Sequence, residues 1–295
     1  MPVETTPSIV CIGQACIDRT YRAADAVRPA TSNPARARHG YGGVARNVAE
    51  SLARMGCRTT LLTAVGDDAD GAALATHTAA AGVDVRGWRY SAARPTGEYV
   101  AILEPDGELV VGACDAGPVE EIDAAAIDAW GSTLTRASWV FADCNLRADA
   151  LAALIALRAR SSFKLAVDAV SAAKVLRLPA DLRDVDALFL NVHQFGRLAT
   201  APNSRAQILT NGAAGVDVTI GGTTTHLDAV AATPVDVTGA GDALVAGTLQ
   251  RLLAGDALPD AVRGGLLVAA LTLESPASVR PDLSQHLLEE SRHRL

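Results

Sequence analysis

Asp236–Leu249 reads D-V-T-G-A-G-D-A-L-V-A-G-T-L. Gly239-Ala240-Gly241 carries almost no side chain, and the residues after it have the composition of a helix. Such a turn lets several backbone N–H groups converge on one anion, with the positive end of the helix aimed at the same point. Asp242 falls in the first turn of that helix. A carboxylate beside an anion site is electrostatically awkward unless it acts on a hydroxyl that attacks a phosphoryl group. The plain alternative is an acidic residue that only complements the helix dipole.

A second glycine-led segment supplies the company this reading needs. Gly42–Gly56 reads G-G-V-A-R-N-V-A-E-S-L-A-R-M-G, with Val44, Val48, Leu52 and Met55 at helical spacing. Glycines ahead of a helix allow close backbone approach to a ligand. Asn47 on the first turns can both donate to and accept from a hydroxyl.

Outward from these segments, strands and helices alternate. Expected strands are Ser8–Ile12, Thr59–Val65, Ser138–Ala142, Leu165–Val167, Ala187–Leu190, Ala206–Thr210 and Val216–Ile220. Expected helices, besides the one after Gly43, are Gly71–Ala81, Ala148–Arg158, Gly241–Leu253 and Asp260–Leu273. The alternation predicts an α/β fold with a doubly wound, mostly parallel sheet and helices on both faces. Two excursions interrupt it. Tyr21–Tyr41 is polar, and Tyr99–Leu103 with Leu109–Val111 form a hairpin around Glu104-Pro105-Asp106-Gly107. Together they predict a small β lid, from about 19–41 and 97–113, on a single domain spanning 1–295. Asp18, Asp143, Asn145, Asp168 and Asn191 fall just past strand ends, where open α/β sheets hold ligands.

Bulk properties narrow the partners. Of 295 residues, 49% are apolar and 20% charged, which suits a globular chain with a sizeable core. The net charge is −7 and no basic stripe is present, which argues against nucleic acid. The five cysteines are odd in number and not paired as C-x-x-C, so buried free thiols are expected rather than a disulfide framework or a zinc site. Cys144 reads as a small buried side chain. His193 and His226 lack partners at metal-ligand spacing and read as structural or exposed. No apolar run approaches a membrane span, and M-P-V-E-T-T-P lacks a leader pattern, so a cytoplasmic location is expected.

The two glycine segments together resemble the paired signatures of the ribokinase-like (PfkB) carbohydrate kinases, over about Ile9 to Leu283. The resemblance implies transfer of the γ-phosphoryl of ATP, with Mg²⁺, to a sugar or nucleoside hydroxyl. Ser32-Asn33-Pro34, Ala142–Leu146 (A-D-C-N-L) and Val167–Lys174 (V-D-A-V-S-A-A-K) resemble the pseudouridine kinase branch of that family. Ribokinases usually have lysine-glycine-alanine where this chain has Val44-Ala45-Arg46. By this resemblance Asp242 is the base and Gly239, Ala240 and Gly241 form the anion hole. Asp18, Gly42, Gly43 and Asn47 hold ribose hydroxyls, and Ser32 reaches the base. Asp143 faces the crevice, and Lys174 is either a substrate contact or a solvated helix lysine. Asn191, Thr210, Gly212, Gly215, Thr238 and Gly241 line the nucleotide site, with Ala270–Val279 flanking adenine. Asp236 and Thr238 stand where many relatives hold a monovalent cation such as K⁺. One departure is Gln194, which stands where relatives carry a Glu that helps order the magnesium waters. Another sugar or nucleoside kinase, or a non-catalytic nucleoside-binding protein, fits the same residues. A homodimer through the lid is also implied.

Overall fold

The computed structural model describes residues 7–295. Its central sheet has eight strands. Six of them are parallel: β1 (Ser8–Ile12), β4 (Arg58–Leu62), β9 (Trp139–Asp143), β10 (Lys164–Asp168), β11 (Ala187–Asn191) and β12 (Ala206–Thr210). β13 (Val216–Ile220) and β14 (Thr223–Leu227) close one edge as an antiparallel meander. The spatial order is β14-β13-β12-β11-β10-β9-β1-β4.

The parallel strands are buried on both faces, which is why they read as continuous apolar runs. Ile9, Cys11 and Phe141 face one core, which α1 (Val44–Arg54), α2 (Ala69–Ala80), α6 (Ala240–Leu253) and α7 (Leu258–Leu273) cover. Val10, Ile12 and Val140 face the other, covered by α3 (Ala124–Leu134) and α4 (Ala148–Ala159). Two-sided coverage is the doubly wound architecture expected. The short α5 (Val192–Phe195) follows β11, and α8 (Gln285–Ser291) closes the chain near its end.

The lid is a separate four-stranded sheet in the order β3-β2-β7-β8, built from β2 (Cys16–Ala23), β3 (Ala35–Gly42), β7 (Glu98–Leu103) and β8 (Leu109–Asp115). The hairpin around Glu104–Gly107 is present, with Gly107 at φ 99°. The lid starts three residues earlier than expected, so Asp18 lies inside β2 rather than past the end of a core strand.

Two further differences have local causes. The expected strand Thr59–Val65 is split into β4 and β5 (Ala64–Gly66), and β5 pairs with β6 (Arg89–Ser91). Between them the fully buried Thr63 hydroxyl donates to the Gly13 carbonyl at 2.7 Å, ending the core strand there. Helix α3 was not expected. Its alanine-rich start hides the period, yet Ile127, Trp130 and Leu134 are buried along one face and Asp123 caps it through Ala126 N–H at 2.9 Å.

All five cysteines are free thiols. Burial pushes Cys11, Cys16 and Cys144 well above the usual thiol range. Cys57 is only half-buried, and Cys114 is exposed on β8, which corrects the expectation that all are buried. Among the described residues no helix is long and apolar enough to cross a membrane.

Candidate active site

The ends of β9 and β10, the starts of α1 and α6, and β2 of the lid bring four carboxylates into one neighbourhood: Asp18, Asp143, Asp168 and Asp242. They do different things. Asp143 is fully buried, and its oxygens accept backbone N–H groups of Gln14 at 3.0 Å, Ala45 at 2.9 Å and Asn145 at 2.9 Å. It therefore ties the loop after β1 to the start of α1 and presents no oxygen to the crevice, contrary to its expected role as a substrate contact. Asp168 ends β10, and burial followed by repulsion from Asp143 pushes it up to about 7. Its Oδ1 accepts from Val170 N–H at 2.7 Å. Val170 has φ 62°, a left-handed conformation unfavourable for a β-branched side chain, so the loop beside the site holds local strain.

Asp242 sits in the first turn of α6, half-buried. Burial pushes its carboxyl up to about 8, with Asp168, Asp143 and Asp18 adding repulsion and the Asn47 amide opposing it. Asn47 Nδ2 donates to Asp242 Oδ2 at 2.8 Å, so residues 195 positions apart meet across α1 and α6. The two glycine segments thus form one site.

The start of α6 is built for close approach. Gly239 adopts φ 81°, and a Cβ there would lie 2.0 Å from the Ser278 carbonyl, so only glycine fits. A Cβ on Gly241 would meet nothing within 4 Å. The N-terminal turn therefore borders open space, and no side chain caps it. This is the setting in which unpaired N–H groups take an anion. Asp236 Oδ1 accepts from Thr238 N–H at 2.8 Å and shapes the approach to the turn.

Asp18 lies against Gly42, where a Cβ would come within 2.2 Å of its carboxylate. Burial raises Asp18, and Arg46 opposes the rise. Asp18 and Arg46 line a cleft of about 1120 Å³ between the underside of the lid and the segments 234–238 and 276–281. Strand alternation puts Asp18, Thr20 and Arg22 of β2 on the same lid face as Gly40, Arg38 and Arg36 of β3. These arginines line the cleft.

Other expected residues fall elsewhere. Ser32 lies exposed in the β2–β3 connection and does not line the cleft, so it is not placed to reach a base there. Lys174 Nζ bonds Asn145 Oδ1, an internal contact. Asn191 and Gln194 form a capping box on α5. Asn191 Oδ1 accepts from Gln194 N–H at 2.9 Å, and Gln194 Oε1 accepts from Asn191 N–H at 2.7 Å. One lone pair of the oxygen expected to order magnesium waters is thereby engaged by the backbone, so Gln194 serves the helix start here. Among the described residues no group of three His, Cys, Asp or Glu side chains is arranged to hold a metal. Thr210 ends β12, and the Gly212–Gly215 turn after it is open at Gly212, where a Cβ would meet nothing within 4 Å. His226 pairs with Asp217 across β13 and β14 at 2.6 Å on the surface, away from the site. Arg46 is the residue that sequence reading passed over. Its signal was a charged residue in the third position after Gly43, where ribokinases usually carry alanine.

Comparison with known proteins bears on the family and the fold. Residues 6–284 match the family model described as pfkB family carbohydrate kinase. The chain is 29% identical to the pseudouridine kinase of Escherichia coli (strain K12) over 294 residues, covering 94% of this chain and 93% of that protein. A carbohydrate kinase from Agrobacterium tumefaciens superposes with a TM-score of 0.86 at 29% identity, covering 98% of each chain. The ribokinase of Thermotoga maritima superposes with a TM-score of 0.82 at 18% identity, covering 97% of this chain and 99% of that one, a likeness of fold. The protein has a ribokinase-like fold and belongs to the pfkB family of carbohydrate kinases, phosphotransferases that act on an alcohol group of a sugar or nucleoside.

Proposed function

We propose that this chain transfers the γ-phosphoryl of ATP to the 5′-hydroxyl of a nucleoside, pseudouridine foremost, giving pseudouridine 5′-phosphate. The observation that carries the reading is Asp242 held by Asn47 beside the open N-terminal turn of α6. Asp242 accepts the proton of the attacking hydroxyl. Gly239–Gly241 N–H groups stabilise the transferring phosphoryl, where one such donor contributes on the order of 3 kcal/mol. Asp18, Gly42, Gly43 and Asn47 hold the ribose, and the hairpin of β7 and β8 covers it. Asn191, Thr210, Gly212, Gly215 and Thr238 border the rest of the nucleotide. The open space over Gly212 and Gly241 fits phosphates. Mg²⁺ would be held chiefly by those phosphates and by water rather than by a protein cage, and would offset the charge of the transferring phosphoryl. Asp236 with Thr238 is the candidate seat for a K⁺ ion.

Two observations favour a nucleoside over a bare sugar. The cleft extends well beyond Asp18. Its outer wall carries Arg38, one row from Asp18, and Arg22 with Arg36, two rows out, at about 7 Å per row. A guanidinium only donates, so it suits the carbonyl oxygens of a pyrimidine-dione and opposes the amino group of adenine. A panel assay of ATP consumption tests the substrate. Pseudouridine turned over at least about tenfold more efficiently than adenosine, ribose or fructose supports the reading. Turnover of ribose or fructose with none of pseudouridine overturns it in favour of a sugar kinase.

The lid edge supports a homodimer in the same proposal. β8 leaves Leu109, Val110 and Val111 exposed at 57%, 44% and 52% on an unpaired edge. A monomeric mass by light scattering at working concentration would count against it. A cytoplasmic location fits a chain that uses ATP, and fractionation of cells checks it.

A further inference from the structure

Arg46 is 2% exposed and among the largest fully buried side chains. Burial lowers its ionisation to about 10, so it remains charged at neutral pH. Its Nη1 donates to the Tyr41 carbonyl at 2.6 Å and to Asn47 Oδ1 at 2.9 Å. Its Nη2 pairs with Glu50 and lies 3.1 Å from His77 Nδ1. Groups from β3, α1 and α2 thus hold the guanidinium in one place.

An amide side chain has a donor end and an acceptor end. Arginine has donors only, so the end of Asn47 that faces Arg46 must be its oxygen. The NH₂ end then faces Asp242, at 2.8 Å. The flipped amide would set N–H against N–H on one side and carbonyl against carboxylate on the other, leaving buried groups unpaired. The structure assigns Arg46 as a positioning residue for phosphoryl transfer. It locks the Asn47 amide so that one N–H fixes Asp242 Oδ2, which leaves Oδ1 to accept the hydroxyl proton. This rests on Asp242 being the base.

The competing account is that Arg46 only stabilises the fold through its buried pair with Glu50. Glu50 also pairs with Arg54, at 2.8 Å through Oε1, so loss of Arg46 does not strand it. A double-mutant cycle on kcat separates the two accounts. Arg46→Met is expected to lower kcat about tenfold with the KM for ATP within about twofold. Asn47→Ala is expected to lower it by about 10- to 100-fold, and the double variant no further than Asn47→Ala alone. Arg46→Lys keeps a donor-only cation that can still face Asn47 Oδ1, so it is expected to fold and to recover part of the kcat lost in Arg46→Met. A double variant that falls by the product of the single losses, or wild-type kcat in Arg46→Met, overturns the assignment. Retained activity in Asp242→Asn would instead overturn the base itself, which keeps the two failures distinct.

Discussion

The start of α5, just past the end of β11, and the start of α6, beside Asn47, are helix N-termini finished in opposite ways. At α5, Asn191 and Gln194 satisfy each other's backbone N–H groups, so the helix closes on itself. At α6 no side chain caps the turn, Gly241 borders open space, and a half-buried carboxylate stands in the first turn. The closed start gains stability of about 1 kcal/mol from its cap. The open start forgoes that and retains donors for an anion. It also carries a carboxyl that burial and three neighbouring carboxylates push up to about 8. On the proposed reading, the difference separates a helix end that serves the fold from one that serves chemistry at a cost to the fold.

The sharpest way to break this contrast is Asp242→Asn. Loss of the base is expected to reduce kcat by about 1000-fold, while the KM for ATP changes little. Stability should move the other way. A carboxyl raised in the folded state contributes stability below its unfolded value and loses it as pH rises through the folded value, here about 8. The Asn variant escapes that loss, so its Tm at pH near 8 is expected to exceed that of the wild type. A variant both inactive and less stable would show that Asp242 is a structural residue. The wild-type kcat/KM is in turn expected to rise with pH toward about 8, as Asp242 deprotonates in the free protein. A flat profile from about pH 6 to 9 would remove Asp242 from the proton transfer.

Gly241→Ala tests the open side more gently. The added methyl meets nothing in the protein, and alanine is the better helix former by up to about 1 kcal/mol. Tm should hold or rise, while the KM for ATP rises about tenfold because the methyl stands where phosphate would approach. Unchanged ATP kinetics would mean the turn takes no phosphate.

The sequence made much of this contrast legible, and the limits are physical. The alternating strands and helices were readable because parallel strands buried on both faces appear as unbroken apolar runs. The glycine turn was readable because so few residue types permit it. The capping box at α5 was also within reach, since N-x-x-Q is a local pattern, but its likeness to a metal motif hid it. What the sequence withheld was long-range. Asp143 bonds Ala45 N–H across 98 positions, and that bond turns an apparent crevice residue into a clamp. Ser32 looked placed by its neighbours in sequence, yet the lid carries it away from the cleft. Asp18 reads as following a core strand because nothing local marks where the chain passes from β1 of the main sheet to β2 of the lid.

The closed start gives smaller effects. Gln194→Ala opens the box and is expected to cost about 1 kcal/mol, read as a Tm decrease of about 2–4 °C. Gln194→Glu keeps the reciprocal cap and adds a charge near the phosphates. Tm should stay near that of the wild type, and the Mg²⁺ concentration for half-maximal rate should fall about threefold. If Glu leaves the Mg²⁺ requirement unchanged, this residue acts only on the helix, and the contrast between the two starts becomes complete.

Ser32→Ala should do least of all, and that makes it informative. The hydroxyl is exposed in the β2–β3 connection, has no place in the cleft wall, and lies beyond the outermost lid arginines in the chain. Surface substitutions away from caps and buried polar groups usually change stability by less than about 0.5 kcal/mol. Both Tm and the KM for pseudouridine are therefore expected to stay within error, about twofold for KM. A rise of about tenfold in KM with kcat unchanged would mean that the lid moves far enough on closure to carry its β2–β3 connection over the base. Base recognition would then pass from the Arg22, Arg36 and Arg38 face to the lid tip. The open helix start would keep its chemistry, but the cleft described here would be only the entrance to the closed site.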